Sequence, residues 1–149
     1  IFANPGTTEM CLVAALDKFP AMRPVLCLHE TVATGAADGY ARMTGFPAGT
    51  ILHLGVGLAN GIANLHNARR AGVPVVNLVG EMATWHISAD ALLHMDIEAL
   101  AGTVSGWVRT LSIPAELSRD IGNAMGHTQS QGQASRIATL IIPHDCQRE

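Results

Sequence analysis

The sequence predicts an α/β protein of three layers, in which a mostly parallel sheet of about six strands has helices on both faces. Short continuous apolar runs, typical of strands covered on both faces, alternate with longer amphipathic segments along the chain. The 149 residues suit a single domain, residues 1–149. Hydrophobic residues make up 48% and charged residues 14%, which is the opposite of the balance found in disordered chains.

Six apolar runs of strand length are separated by turn signals. The run 25–28 contains no polar residue, which predicts a strand buried on both faces. Pro74 lies near the start of its run, where proline is tolerated. The predicted strands are residues 1–3, 25–28, 50–54, 73–79, 107–109 and 138–142.

The segments between these runs predict helices. In the first, which extends to Phe19, Thr7 or Thr8 is the predicted N-cap and Glu9 lies in the first turn. The second runs from the pair 29–30 to about Met43 and is followed by Gly45, a typical residue just beyond a helix. Further helices are predicted over residues 58–71 and 114–125, with a glycine-rich turn at 55–57, a loop and short helix at 82–106, and a polar loop at 126–135.

Charge, hydropathy and cysteine content indicate which partners and which cellular location to expect. The net charge is −3 and no basic stripe is present, so we expect no nucleic-acid partner. No apolar run approaches the roughly 20 residues of a membrane span, so we expect no membrane partner. The three cysteines have no CxxC spacing, which favours a reducing, cytoplasmic location over a disulfide scaffold or a zinc site.

The chain starts at Ile1 without Met, and we expect it to be part of a longer protein.

Ligands of parallel α/β sheets bind beyond the carboxyl ends of the strands, so the residues that follow the predicted strands are the candidates for function. Four clusters are expected at this edge. They are Asn4, Pro5, Gly6, Thr7 and Thr8; His29 and Glu30; His53, Gly55 and Gly57; and Gly80 and Glu81.

The glycine-rich turn supports more than one interpretation. Gly55, Gly57 and Gly61 have GxGxxxG spacing, with Asn60 where a dinucleotide fingerprint has its third glycine, and Glu81 ends the next strand. An NAD-dependent oxidoreductase is therefore one alternative. The other interpretations are a glycine-rich helix start that packs closely on the sheet, or backbone that approaches another ligand.

Two titratable residues at the same edge also leave alternatives open. Glu30 is either a cap of the second helix or an acid that shares a proton with a ligand ring nitrogen. His53 is either a hydrogen-bonded core residue or a proton carrier. A metal cluster is conceivable in the loop, but no second cluster supports one and we expect no metal site; its members would be His86, Asp90, His94 and Asp96.

Taken together, these motifs resemble the N-terminal pyrimidine-binding domain of thiamine-diphosphate-dependent enzymes, of the acetolactate synthase and benzoylformate decarboxylase group. GEMATWH and DIEALAGTVSGWVRT are similar to acetolactate-synthase-like proteins in particular. The stretches that carry the resemblance are NPGTTE at 4–9, HETVATGAADGYARMTG at 29–45, HLGVGLANGIANLHNARRAGVPVVNLVGE at 53–81 and ATLIIPHD at 138–145.

The resemblance implies a role for each matching residue. Glu30 matches the glutamate that hydrogen-bonds N1′ of the cofactor's aminopyrimidine and exchanges a proton with it, and His53 matches a histidine near the reacting centre. The expected cofactor-binding residues are Glu30, Asn4, Pro5, Gly6, Gly55, Gly57 and Asn60. The expected substrate-side residues are Thr7, Thr8, His53 and Glu81, the last of which stands where many synthases have glutamine.

The resemblance also implies what else the working enzyme contains. The substrate would be a small 2-keto acid, which the enzyme either decarboxylates or ligates. Mg²⁺ and the diphosphate of thiamine diphosphate would bind a separate domain with a GDG…N motif, from another subunit of a homodimer or homotetramer. This chain has no GDG motif, so we expect the isolated chain to be inactive. A non-catalytic binding module is the remaining alternative.

Overall fold

A computed structural model describes residues 1–148 and contains one sheet of six parallel strands in the order β2-β1-β3-β4-β6-β5. This confirms the predicted α/β class, the number of strands and their parallel pairing. The strands are β1 (Phe2–Asn4), β2 (Val25–Leu26), β3 (Ala48–Leu52), β4 (Val75–Glu81), β5 (Trp107–Thr110) and β6 (Ile137–Pro143).

Helices cover both faces of the sheet. The first face carries α2, α3 and α4, and the second carries α1 and α5. None of the helices within residues 1–148 has the length and apolar character needed to cross a membrane. Their bounds are α1 (Met10–Leu16), α2 (Glu30–Thr44), α3 (Leu54–Arg70), α4 (Ile97–Gly102) and α5 (Leu117–Gln129).

Small residues bring α2 close to the sheet and to α3. Ala33, Ala37 and Ala41 form its buried stripe. At the crossing with α3, a Cβ on Gly61 would lie only 2.7 Å from Cγ2 of Thr34, so the two helix backbones approach more closely than larger residues would permit. This close contact brings the N-termini of α2 and α3 together.

A line of hydrogen-bonded polar side chains crosses the first face of the sheet. Thr50, Asn77 and Thr139 are adjacent in register on β3, β4 and β6, and all three are fully buried. Thr50 donates to Oδ1 of Asn77 over 2.8 Å, and Nδ2 of Asn77 donates to Thr139 over 3.1 Å. Ser105 pairs with the Thr139 hydroxyl at 2.8 Å. Because a slip of one residue would break this line, it favours the observed register.

The same register aligns the strand ends that carry the candidate residues. Asn4 pairs with Leu52, and Leu52 pairs with Val79. The segments that follow β1, β3 and β4 therefore start at one edge of the sheet, as the alternation of strands and helices predicts.

The prediction of a buried strand at 25–28 is wrong. Only Val25–Leu26 is a strand, and it lies at the edge of the sheet with both residues exposed. Leu26 is 73% exposed and Leu28 is 90% exposed. A continuous apolar run shows that a segment lacks polar residues, but it does not show whether another part of this chain covers it.

Three predicted boundaries are also wrong. Gly6, and not Thr7 or Thr8, is the N-cap of a 3₁₀ turn at Thr7–Glu9 that leads into α1. His53 lies outside β3 as the N-cap of α3, and the predicted glycine turn at 55–57 belongs to the first turns of that helix. The predicted polar loop at 126–135 starts later, since α5 continues to Gln129. These helical turns contain polar and glycine residues, so they lack the apolar periodicity from which a helix is predicted.

Candidate active site

A buried carboxylate, that of Glu9, lies at the centre of the residues that follow β1 and β3. Its side chain is fully buried, although Glu9 is in a short turn at the edge of the sheet. Oε2 accepts the backbone N–H of Gly6 over 2.7 Å and lies 2.9 Å from Nδ1 of His53. The hydroxyl of Thr8 donates to Oε1. Each oxygen of this buried acid is therefore hydrogen-bonded.

Two glycines make room for this arrangement. A Cβ on Gly80, at the end of β4, would overlap the Glu9 carboxylate, and a Cβ on Gly6 would overlap the imidazole of His53. Both glycines are also close to the strand ends that form the edge. Glycine at these positions lets a carboxylate and a ring occupy space next to the backbone.

The backbone at Leu54 explains how His53 reaches Glu9. Leu54 has a positive φ of 54°, which is rare for a residue with a branched side chain. This conformation joins β3 to α3 without a loop and leaves His53 as the N-cap residue between them. The strain costs of the order of 1–3 kcal/mol and is typical of functional sites.

A cavity of about 390 Å³ lies beside His53. Its walls are largely apolar, and the indole of Trp85 stacks on His86 with 5.4 Å between the ring centres. The cavity has room for a small organic molecule next to the imidazole. It is lined by Thr7, Thr8, His53, Leu54, Met82, Ala83, Trp85, His86, Leu93 and His144.

Glu30 forms a second centre, at the first residue of α2. The residue is 7% exposed, and Oε2 of its carboxylate accepts the side-chain amide of Asn60 over 3.0 Å. A Cβ on Gly57 would lie 2.9 Å from Oε1. Among residues 1–148 no donor hydrogen-bonds Oε1, so that oxygen is available to a ligand. His29, and not Glu30, caps the helix, because its Nδ1 accepts the N–H of Thr31 over 3.2 Å.

The other predicted site residues are placed as follows. The amide of Asn4 donates to the carbonyl of Cys27 over 2.7 Å and ties the end of β1 to the segment before α2. Gly55 packs on Met95, since a Cβ there would lie 2.6 Å from Cβ of that residue. Glu81 is buried, but its Oε1 accepts only the N–H of Met82, over 2.7 Å, and the hydrogen bonds of residues 1–148 do not join it to the two centres.

The histidines and aspartates of the 82–106 segment do not come together. Within residues 1–148 no group of three or more His, Cys, Asp or Glu side chains is arranged to hold a metal ion. His86 lines the cavity, whereas Asp90 and Asp96 are exposed and Asp96 caps α4 through the N–H of Ala99.

Sequence reasoning missed Glu9 as a site residue. It predicted only that Glu9 stabilises a helix start, whereas the folded chain buries it between His53 and Gly80. One local signal was available, since an acid three residues after Gly6 can accept its N–H. The contacts with His53 and Gly80 join distant parts of the chain and have no local signal.

The geometry agrees with what comparison with known proteins finds. Residues 1–100 match the family of thiamine pyrophosphate enzymes, in their N-terminal TPP binding domain. The chain belongs to this family. The matched range includes Glu9, Glu30 and His53 and the glycines around them.

Individual relatives of this TPP-binding domain cover almost the whole chain. A protein of Mycobacterium tuberculosis named as an acetolactate synthase large subunit, IlvX, is 59% identical over 144 residues. Benzoylformate decarboxylase of Pseudomonas aeruginosa is 31% identical over 147 residues. In each case the match covers 97% of this chain but 27% of the relative, so the chain spans about a quarter of their length.

A solved structure has the same fold. The thiamine diphosphate-dependent 4-hydroxybenzoylformate decarboxylase of Rhodococcus jostii RHA1 superposes with a TM-score of 0.89 at 25% identity, over 97% of this chain and 27% of that one. The predicted resemblance to thiamine-diphosphate enzymes is thereby confirmed. These comparisons favour thiamine diphosphate over the NAD alternative, and Gly55 and Gly57 pack closely on Met95 and Glu30.

Proposed function

We propose that this domain holds the aminopyrimidine end of thiamine diphosphate in a longer enzyme that acts on a small 2-keto acid. One observation carries the proposal. The carboxylate of Glu30 is held at the start of α2 by Asn60, while Oε1 is left without a partner among residues 1–148 and faces the bare α-carbon of Gly57. A carboxylate presented in this way suits a protonated ring nitrogen.

Glu30 would hold and exchange the proton at N1′ of the aminopyrimidine. The amide of Asn60 holds one carboxylate oxygen, so the other oxygen faces the space beside Gly57, where a ring nitrogen could exchange a proton with it. When bound, thiamine diphosphate supplies the electron sink that 2-keto acid decarboxylation or ligation requires.

The residues around Glu30 would form the rest of the pyrimidine site. Gly57 leaves space beside Glu30, and Asn60 orients its carboxylate. Asn4 fixes the end of β1 next to the segment that precedes Glu30. The proposed cofactor-binding set is Glu30, Asn4, Pro5, Gly6, Gly55, Gly57 and Asn60.

His53 would act on the substrate side. Its ring borders the cavity of about 390 Å³, so it can donate or accept a proton there. Thr7 and Thr8 line the same cavity. Glu81 also belongs to the proposed substrate side, although it is buried apart from the cavity lining and bonded to the N–H of Met82.

The remaining parts of the site are proposed to come from outside this chain. The diphosphate and Mg²⁺ would bind a second domain of the same parent protein, contributed by another subunit of a homodimer or homotetramer. The coverage of 27% of the relatives leaves room for such a domain. The three free cysteines among residues 1–148 are compatible with the proposed cytoplasmic location.

Titration of the whole parent protein tests this function. We expect saturable, Mg²⁺-dependent binding of thiamine diphosphate in calorimetry and release of CO₂ from 2-keto acids, with no comparable binding of NAD. The isolated 149-residue chain should bind the cofactor weakly or not at all. A parent that binds no thiamine diphosphate would instead support a non-catalytic binding module, and tight Mg²⁺-dependent binding to the isolated chain would contradict the proposed division of the site.

A further inference from the structure

We propose that Glu9 is a positioning residue that fixes the tautomer of His53, with the ring proton on Nδ1 and the lone pair of Nε2 toward the cavity. This inference rests on the proposed function, in which His53 carries a proton on the substrate side. It adds Glu9 to the residues of the site and assigns different roles to the two ring nitrogens of His53. Glu9 holds Nδ1, so Nε2 is the nitrogen that reacts.

The hydrogen bonds around Glu9 assign the proton. An ionised carboxylate has only lone pairs, so the contact of 2.9 Å between Nδ1 of His53 and Oε2 of Glu9 needs a hydrogen on Nδ1. The hydroxyl of Thr8 already donates to Oε1 of Glu9. Its oxygen, 3.2 Å from Nδ1, can therefore only accept from the ring. Both neighbours of Nδ1 are acceptors, which selects the Nδ1–H tautomer.

The other ring nitrogen is left for a ligand. The His53 side chain is 21% exposed and lines the cavity. No side chain or backbone group within residues 1–148 hydrogen-bonds Nε2. With Nδ1 held by Glu9, Nε2 is the nitrogen that the ring presents to a molecule in the cavity.

The surroundings hold this pair in place from three sides. Gly80 and Gly6 have no Cβ where one would overlap the Glu9 carboxylate or the His53 ring. The carbonyl of Thr8 accepts the side-chain amide of Gln147 over 2.8 Å, which ties the Thr7–Glu9 turn to the short turn that follows β6. The contact between Glu9 and His53 thus depends on two glycines and on a hydrogen bond from a distant part of the chain. A chance contact between an acid and a histidine would not require these features.

The arrangement determines how a proton moves. Nε2 accepts a proton from a group in the cavity while Nδ1 keeps its own, and the resulting imidazolium carries its charge against the buried carboxylate of Glu9. The same proton returns from Nε2 in a later step, which restores the neutral ring. Glu9 itself neither gains nor loses a proton, as with the acid that orients histidine in a catalytic triad.

The whole parent protein, labelled with ¹⁵N-histidine, gives a readout that does not depend on turnover. We expect the His53 resonances of the wild type to show a protonated Nδ1 and an unprotonated Nε2. In Glu9→Leu the carboxylate is gone and the Thr8 hydroxyl, which no longer donates to it, is free to donate to Nδ1. The ring proton should then move to Nε2, which is the form that free imidazole side chains prefer in water. A wild-type protein with its proton on Nε2 would overturn the inference.

Kinetics test whether the tautomer matters. We expect Glu9→Leu to lower kcat by about 10-fold to 100-fold, a part of the about 10²–10⁴-fold that a positioned proton-transfer group contributes, with KM nearly unchanged. Gly80→Ala provides a second variant in case Glu9→Leu does not fold, since its methyl group displaces the carboxylate without removing it. Gly39→Ala is the matched control, because a Cβ there meets nothing within 4 Å.

The outcomes separate this inference from the proposed function. If the parent neither binds thiamine diphosphate nor converts a 2-keto acid, the function is wrong, and the ¹⁵N spectrum still decides the tautomer. If the wild type is active but Glu9→Leu and Gly80→Ala keep its kcat, Glu9 has no positioning role.

Discussion

The carboxylate of Glu30 and the α-carbon of Gly57 face each other across the contact between α2 and α3. A Cβ at position 57 would lie 2.9 Å from Oε1 of Glu30 and 3.4 Å from its Cδ. These distances leave no room for a side chain without moving the carboxylate. The absence of a side chain at Gly57 is therefore tied to the orientation of Glu30.

The first prediction is that Gly57→Ala weakens cofactor binding. The added methyl group pushes Glu30 from its position, so we expect the Kd of thiamine diphosphate for the parent protein to rise by about tenfold, which corresponds to about 1.4 kcal/mol. Calorimetry measures this change. Gly39→Ala, in the exposed part of α2, should leave Kd unchanged; equal effects of both substitutions would mean that Gly57 matters only for helix stability.

The second prediction concerns proton exchange by Glu30. Glu30→Gln keeps the size of the side chain and its hydrogen bond to Asn60, but an amide cannot exchange a proton with N1′. Deuterium exchange at C2 of the bound cofactor should slow by about 10²–10⁴-fold in the parent protein, the range for a positioned proton-transfer group. An unchanged exchange rate at full cofactor occupancy would show that Glu30 has only a structural role.

The third prediction distinguishes the roles of the two ring nitrogens of His53. In His53→Asn, the side-chain amide can take the place of Nδ1 and donate to Glu9, whereas nothing replaces Nε2. We expect turnover of the parent protein to fall by about 10²–10⁴-fold while the affinity for thiamine diphosphate stays nearly constant. A histidine with only a structural role would instead give normal specific activity in this variant and a lower melting temperature in His53→Ala.

The sequence was sufficient for the layers of the fold and for the edge where the site lies. Apolar runs of strand length mark the buried strands β3, β4 and β6, because the same side chains that fill the core also carry the pattern. The edge follows from topology alone, since parallel strands end on one side. The short strand Val25–Leu26 was misjudged because an edge strand and a central strand can share one composition.

The details of the candidate site were less predictable. His53 was expected at this edge, but its partner Glu9 is 44 positions away in the sequence and is buried by Gly80 from a third segment. The left-handed conformation of Leu54, which carries the chain from β3 into α3, is typical of glycine or asparagine and has no signal in a leucine. Local propensity describes each segment, whereas the site depends on contacts between segments.

The fourth prediction concerns pH and the segment beside the cavity. Asp145 accepts the N–H of Thr84 over 3.1 Å and its hydroxyl over 2.6 Å. Burial alone would raise the pKa of Asp145, but these hydrogen bonds, together with those from the backbone N–H groups of Asp145 and Cys146, outweigh it and hold the pKa below the ordinary value of 3.8. A lowered pKa means that the contribution to stability is present above the unfolded-state pKa and is lost as the pH falls through the folded-state value.

Carboxyl ¹³C titration of the parent protein measures this shift. Thr84→Val removes the hydroxyl donor, so the pKa of Asp145 should rise toward 3.8 in that variant. Thr103→Val is the matched control, because the hydroxyl of Thr103 bonds the carbonyl of Leu100 and no carboxylate. A pKa that is the same in wild type and Thr84→Val would exclude the hydroxyl as its cause.

The fifth prediction tests the buried polar line across the sheet. Asn77→Leu preserves the approximate size of the side chain but leaves the Thr50 hydroxyl without its acceptor and removes the donor to Thr139. An unpaired buried polar group costs about 1–3 kcal/mol. The free energy of opening for the backbone amides of β4, measured by hydrogen exchange in the parent protein, should fall by about that amount. Combining Asn77→Leu with Thr50→Val should recover part of the loss, because the unpaired hydroxyl is then absent. If the double variant is less stable than Asn77→Leu, the line contributes through packing and not through its hydrogen bonds.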